Sequence, residues 1–324
     1  MLPSIDEIRS AAAAIRGAAI RTPLVRFDAT VDRRAACGLE IYLKLENLQP
    51  IGAFKIRGAA NAMAHMPPAE LARGVLTASA GNMAQGVAWR ARELGIPCTV
   101  VCPEGAPETK IQAIERLGAV VLRVTYEEWW RAFEERGFPG VEGTFIHAFD
   151  DPLVMAGNST IALEILDDLP EVDAIVTPWG GGGLTCGVGA ALRALRPECR
   201  LYAAEVAGAA PLSAALSAGS PRLVDYQPSF VDGIGSKTVF PQMFEHARDL
   251  VSGSLVAEVA EVAEALLLML ERNHTLAEGA GAAPLACARA GLAGRGKIVC
   301  VISGGNIDLE ELVELIGRWG VATR

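Results

Sequence analysis

The run Leu43-Lys44-Leu45-Glu46-Asn47-Leu48-Gln49-Pro50-Ile51-Gly52-Ala53-Phe54-Lys55-Ile56-Arg57-Gly58-Ala59 presents one amine, Lys55, at the start of a helix-forming stretch just after Gly52. An amine held there can condense with an aldehyde to form a Schiff base, which makes Lys55 the candidate nucleophile. Most lysines are solvated surface charges. This one is set apart by two glycine-containing loops of different type downstream and by Ser303-Gly304-Gly305-Asn306 near the C-terminus.

Gly180-Gly181-Gly182-Gly183-Leu184 falls between a strand ending at Pro178 and a helix starting near Leu184. Bare backbone N–H groups and a helix N-terminus make such a loop a phosphate cup. No Gly-Lys-Ser/Thr follows, so it is not a P-loop, and Thr185 and Cys186 stand where a dinucleotide fingerprint needs its third glycine. The competing reading is a tight turn with close helix–sheet packing, against which stands the chain entropy of four consecutive glycines. Ser79-Ala80-Gly81-Asn82-Met83-Ala84-Gln85-Gly86 is a second strand-to-helix junction. It reads equally as a helix cap or as an anion site, with Ser79 and loop N–H groups on a carboxylate and Asn82 on a cofactor oxygen. Ser303-Gly304-Gly305-Asn306 ends the last apolar strand, and alone it reads as a turn. His65, His147, His246 and His274 lack metal-ligand spacing, and no Gly-x-Ser-x-Gly elbow occurs.

The elements that must position these groups alternate. Strands are expected at 75–78, 98–102, 120–124, 145–147 and 174–177, followed by helices at 84–94, 108–117, 127–136, 153–169 and 184–195. Further strands are expected at 201–204 and 298–302, and a long helix at Leu255 to Arg272 with Glu258, Glu261 and Glu264 on a solvated face. Alternation of this kind means α/β architecture with open, twisted parallel sheets covered by helices on both faces. No repeat or linker marks a boundary; Met66-Pro67-Pro68 is the best local break.

The chain has 324 residues, enough for two domains, and 51% hydrophobic residues, enough for a large core. A net charge of −9 disfavours nucleic acid and anionic membrane as partners. The longest apolar run, Ala265 to Leu270, is too short to span a bilayer, and the N-terminus lacks the order of a signal peptide. Seven scattered cysteines, with Cys98 and Cys102 on one apparent strand, read as reduced, buried thiols and a cytoplasmic protein.

Together the four motifs resemble, in order and at similar spacing, those of the serine/threonine dehydratase (threonine ammonia-lyase) family. This family belongs to the fold-type II pyridoxal-phosphate enzymes, in the tryptophan synthase beta-like superfamily. The resemblance covers nearly the whole chain. It implies pyridoxal 5'-phosphate as cofactor and two domains with the site between them: residues 1–67 plus 144–324, which bind the cofactor, and a smaller inserted domain of residues 68–143, which carries the substrate-carboxylate loop. It implies that Lys55 links to the cofactor and then takes the substrate α-proton. Gly180, Gly181, Gly182, Gly183 and Leu184 would bind phosphate, Asn82 the ring hydroxyl, Phe54 the ring face and Ser303 the pyridine nitrogen, with Glu278 nearby. Ser79, Ala80, Gly81 and Asn82 would hold the substrate carboxylate. A hydroxyl on the pyridine nitrogen weakens the ring as an electron sink and favours prompt β-elimination. The implied function is dehydration and deamination of L-threonine or L-serine to a 2-oxo acid and ammonia, with the cofactor phosphate protonating the leaving hydroxyl, in a homodimer.

The departures matter as much. Ala80 stands where serine racemase has its second acid/base serine, so racemisation is not expected. Met83, Ala53 and Ile51 replace a histidine, a serine and a threonine, making the pocket edge less polar. Trp129 and Trp130 either belong to the core or an interface, or shape a pocket for a bulkier β-hydroxy amino acid such as phenylserine. A non-catalytic cofactor- or amino-acid-binding protein is the rival from another class. Glu205 matches a cation ligand of some relatives, but Ala210-Pro211 replaces its aspartate partner, so no metal is expected. The chain ends at Arg324 with no room for a C-terminal regulatory domain, so no feedback control through one is expected.

Overall fold

The computed structural model describes residues 1–28 and 38–320. The first part of the chain forms α1 (Ile5–Ala14), β1 (Leu24–Arg26), β2 (Leu39–Lys44), α2 (Lys55–Ala64) and α3 (Pro68–Leu71). Next come β3 (Val75–Ala78), α4 (Asn82–Leu94), β4 (Cys98–Pro103), α5 (Glu108–Arg116), β5 (Val120–Val124), α6 (Tyr126–Glu135) and β6 (Thr144–Phe145). Then follow α7 (Pro152–Asp168), β7 (Ala174–Pro178), α8 (Gly183–Leu195), β8 (Arg200–Val206), α9 (Pro211–Ala218) and α10 (Pro241–Ala247). The chain closes with β9 (Gly253–Ala257), α11 (Val259–Arg272), α12 (Gly279–Arg289), β10 (Gly296–Val301) and α13 (Leu309–Trp319).

The strands sort into two sheets. The larger runs β1-β2-β10-β7-β8-β9, parallel throughout except for the antiparallel edge strand β1. The smaller runs β5-β4-β3-β6 and is wholly parallel. Burial follows from covering both faces: β3 and β7 are buried at every position. The edge strand β5 is not, and Val120 is 61% exposed. Helix α2 packs against both α7 and α4 and so bridges the helical layers of the two sheets. Its Ala59, Ala62 and Met63 enter the small-sheet core, while Phe54, just before it, enters a core beneath the large sheet.

Two sequence expectations shift. Leu255 to Ala257 belong to β9, not to a long helix, and the helix begins at Val259 behind the N-cap Glu258. Glu258 and Glu261 form a capping box across this start, satisfying N–H groups that a continuous helix would not have left open. Glu264 is drawn to Arg289, itself 4% exposed, so the three glutamates are not one solvated face. The expected 145–147 strand is also shorter, because the chain turns at His147. The six described cysteines are free and buried, as expected.

Candidate active site

The loops singled out by their composition follow the C-terminal ends of β3, β7 and β10, where parallel sheets open for ligands. Backbone bonds join the first and last motifs: the Phe54 N–H donates to the Ser303 carbonyl, and the Gly305 N–H to the Gly52 carbonyl, each at 2.9 Å. Side chains then draw in the 79–86 loop and Glu278. Asn82 Nδ2 donates to Glu278 Oε1 at 2.8 Å, and Asn306 Nδ2 donates to Asn82 Oδ1 at 2.8 Å and to the Ile51 carbonyl at 2.9 Å. A Cβ at Gly304 would lie 2.3 Å from Glu278 Oε1, so this crossing has no room for a side chain.

Behind the site, Arg57 fixes α2. It is 1% exposed and donates to both oxygens of Glu46, at 2.8 Å each, and to both oxygens of Glu164, at 2.7 and 2.8 Å. Lys44, also buried, completes the cluster on Glu164. The charges of Arg57 hold Glu46 below the usual carboxylate range against the cost of burial.

Lys55, at the first position of α2, faces the opposite way. Its Nζ donates to the Ala148 carbonyl at 2.8 Å and lies 5.2 Å from the centre of the Phe54 ring. Burial lowers this amine to about 8, opposed by the charge of Glu278. Glu278 is raised to about 7, first by burial and then by Asp232, against the Asn82 hydrogen bond and the cations Lys110 and Lys55. The turn presenting Ala148 is held by His147, whose Nδ1 accepts from the N–H groups of Phe149 and Asp150 at 3.3 and 2.8 Å. A ring nitrogen that accepts carries no proton there, and burial, with Arg136 and Lys55 nearby, pushes His147 down to about 3.

Lys55, Phe54, Ser79, Gly81, Asn82, Gly180, Gly181, Gly182, Gly183, Leu184, Glu278 and Ser303 all line one cavity of about 670 Å³. Ala80 does not; its methyl packs at the edge of the small-sheet core. Ser79 Oγ accepts from the Gly81 N–H at 3.2 Å, and so closes its own loop. The four-glycine run has a packing cause that the entropy argument overlooked: a Cβ at Gly181 would sit 2.0 Å from the Phe149 ring. The case for an anion rests instead on helix ends. Helices α1, α6 and α7 are capped by Ser4, Thr125 and Asp151, whereas α4 and α8 start behind Gly81 and Gly182 with no side-chain cap. Other helices, α5 and α13 among them, also start without a side-chain cap; what sets α4 and α8 apart is that their glycine N-caps and first turns line the cavity, where their N–H groups can meet anions. Ser303 is 3% exposed and lines the same cavity. A phosphate, a carboxylate, a polar ring atom and an aldehyde each therefore find a matching group.

Sequence reasoning missed His147 and the carbonyl of Ala148, which meets Lys55 across 93 positions. It also missed the 232–240 segment, which lines the cavity. A backbone carbonyl leaves no compositional trace; the one available signal was a histidine at a strand end. Glu205 lies apart, and its oxygens accept from the Leu212 and Ser213 N–H groups, at 2.8 Å each, and from Ser254 Oγ. It caps α9 with the lone pairs that a cation would need.

The model of a pyridoxal-phosphate dependent enzyme family matches residues 15–304. The L-threonine ammonia-lyase of Geobacter sulfurreducens is 44% identical over 297 residues, covering 88% of this chain and 72% of that protein. The L-threonine ammonia-lyase of Thermotoga maritima is 39% identical over 322 residues, covering 97% and 78%. Among solved structures, maize serine racemase superposes with a TM-score of 0.87 at 30% identity, covering 98% of each chain. Processed threonine deaminase isoform 2 of Solanum lycopersicum gives 0.83 at 29%, covering 98% of this chain and 94% of that one.

Proposed function

The chain belongs to the pyridoxal-phosphate dependent enzyme family, and from that premise we propose that it is an ammonia-lyase converting L-threonine, and L-serine, to a 2-oxo acid and ammonia. The observation that carries this reading is one amine, Lys55, lowered to about 8 in a cavity flanked by two uncapped helix starts.

When bound, pyridoxal phosphate supplies an aldehyde that joins the substrate amine and a ring that draws electrons from the α-carbon. The protein supplies the rest. The α8 start with Gly180, Gly181, Gly182, Gly183 and Leu184 would bind the phosphate. Phe54 would flank the ring, Ser303 would serve its nitrogen, and Asn82 would offer its second amide hydrogen to the ring hydroxyl. The backbone of Ser79, Ala80, Gly81 and Asn82 at the α4 start holds the substrate carboxylate. Lys55 takes the α-proton, for which a pKa near the working pH is well suited. The hydroxyl leaves from the β-carbon as water, and water later releases ammonia, so the net change is amino acid to 2-oxo acid plus ammonia. Two solved neighbours are serine racemases, but Ala80 brings no proton carrier to the other face, so elimination is favoured over racemisation.

The proposal includes a division into residues 1–67 plus 144–324 and 68–143, supported by sheet membership, with the boundary best drawn after Phe145 because β6 pairs with β3. It also includes a cytoplasmic homodimer without a resident metal. The free buried cysteines support the compartment, and the exposed Leu309, Val313 and Ile316 along α13 support self-association, which sedimentation equilibrium tests. No described helix is long and apolar enough to cross a membrane. For the activity itself, the test is 2-oxo acid release from L-threonine and L-serine by the cofactor-loaded protein. No release from either sinks the reading.

A further inference from the structure

Aromatic residues make up only 6% of the chain, yet Tyr126, Trp129, Trp130, Phe133, Phe149 and Phe240 line one wall of the Lys55 cavity. The wall joins α6, on the small sheet, to Phe149 and Phe240 on the large-sheet side. Tyr126, Trp130 and Phe133 form a ladder of nearly parallel rings, with interplanar angles of 16° and 20°. Trp130 also contacts Phe240 at 5.5 Å between centroids, and Phe240 contacts Phe149 at 5.1 Å, beside the glycine loop.

Core packing explains part of this wall and not the rest. Phe133 is buried in the small-sheet core and Trp129 packs against it. Tyr126, 58% exposed, and Trp130 belong to none of the hydrophobic cores; their ring contacts are with other rings of the wall. Aromatic rings that line a cavity suit a flat apolar group, since ring pairs gain from offset-stacked or edge-to-face contact beyond their buried area. The methyl of threonine and the hydrogen of serine leave such a wall untouched. The reacting end, at Lys55 and the two helix starts, is the same for any β-hydroxy amino acid.

Resting on the ammonia-lyase reading above, we propose that the aromatic wall is a subsite for the β-substituent and that the enzyme acts on β-aryl-β-hydroxy amino acids, with Trp130 the ring that selects them. For 3-phenylserine the Cα–H and Cβ–O bonds break, water leaves, and water then displaces ammonia. The net products are phenylpyruvate and ammonia, and no oxidant is needed.

The experiment compares kcat/KM of the loaded enzyme on L-threo-3-phenylserine and on L-threonine, for the natural protein, Trp130→Ala and Trp130→Phe. The natural protein turns over phenylserine at least as efficiently as threonine. Loss of the ring in Trp130→Ala lowers the phenylserine-to-threonine ratio by about 10–100-fold, within the range that one apolar pocket contact commands, while Trp130→Phe keeps most of it. Threonine turnover without phenylserine turnover in the natural protein overturns the subsite and leaves the ammonia-lyase reading standing. Turnover of neither overturns both. An unchanged ratio in Trp130→Ala overturns the role of Trp130. If that variant fails to fold, Trp130→Leu, which removes the ring and keeps more of the volume, takes its place with the same expected loss and the same overturning result.

Discussion

Lys55 and Arg57 lie two residues apart on α2, and their surroundings treat positive charge in opposite ways. Arg57 is enclosed by carboxylates: Glu46 and Glu164 take every contact it can make with a paired acid, and Lys44 balances the surplus. Lys55 is enclosed by a carbonyl, a ring face and a carboxyl group that is itself half-neutral near pH 7. Burial alone therefore does not decide whether a group keeps its charge. The same helix buries one cation by pairing it and makes its neighbour a usable base by denying it a full partner. The first arrangement sets position and the second sets reactivity.

Removing the reactive half has the largest effect. Lys55→Ala lowers 2-oxo acid release by at least about 10³-fold and abolishes the visible absorbance of the lysine-linked cofactor, while the circular dichroism spectrum is retained. Breaking the positional half comes next: Arg57→Met leaves the buried Glu46 without its cation and Glu164 with Lys44 alone. It lowers the unfolding free energy in urea by about 3–5 kcal/mol. Arg57→Lys recovers only part of this, since an ammonium cannot reproduce the two-pronged contacts. An unaffected Arg57→Met would show that the two halves are not distinct.

The pH dependence sharpens the contrast with a smaller effect. Cofactor uptake by Lys55 needs the neutral amine, so its rate rises through about pH 8. Glu278→Gln removes the charge that raises this amine, and the profile moves to lower pH. Stability follows the same groups. Glu278, raised from 4.5 to about 7 in the folded chain, gives a contribution that is full below 4.5 and is lost as pH rises through 7. Lys55, lowered from 10.5 to about 8, gives one that is present above 10.5 and is lost as pH falls through 8. Urea midpoints of the apoprotein from pH 4 to 10, with Glu278→Gln and Lys55→Met as controls, separate the two. The smallest effect is expected from a chelator, which leaves activity within about twofold because the carboxylate of Glu205 already holds α9.

Much of this is legible in the sequence. Strands 75–78 and 120–124 were placed to the residue, since short β-branched runs between glycines carry a local signal. Lys55, Asn82, Gly180 and Ser303 were all placed as groups of one site, and they line one cavity. The entrance to α11 was not legible, because Leu255 and Val256 continue a helical pattern and only pairing with β8 makes them a strand. The partners of Arg57 were hidden for another reason. Glu164 is 107 positions away, and no local pattern announces a contact of that range. The tryptophans were visible as residues but not as a wall, which needs Phe149 and Phe240 brought from other elements.

The amide of Asn82 has one more consequence. It stands at the start of α4 beside the small sheet, while both of its partners, Glu278 and Asn306, belong to the large-sheet side. It thus works as a clasp between the two sheet-bearing parts of the chain. Two hydrogen bonds of about 0.5–1.5 kcal/mol each are weak enough for thermal motion to undo. The clasp also senses acidity: a bond to an ionised Glu278 is about twice as strong as one to its neutral form. The clasp is therefore weaker below about pH 7 and firmer above it, and it answers to the same proton that tunes Lys55.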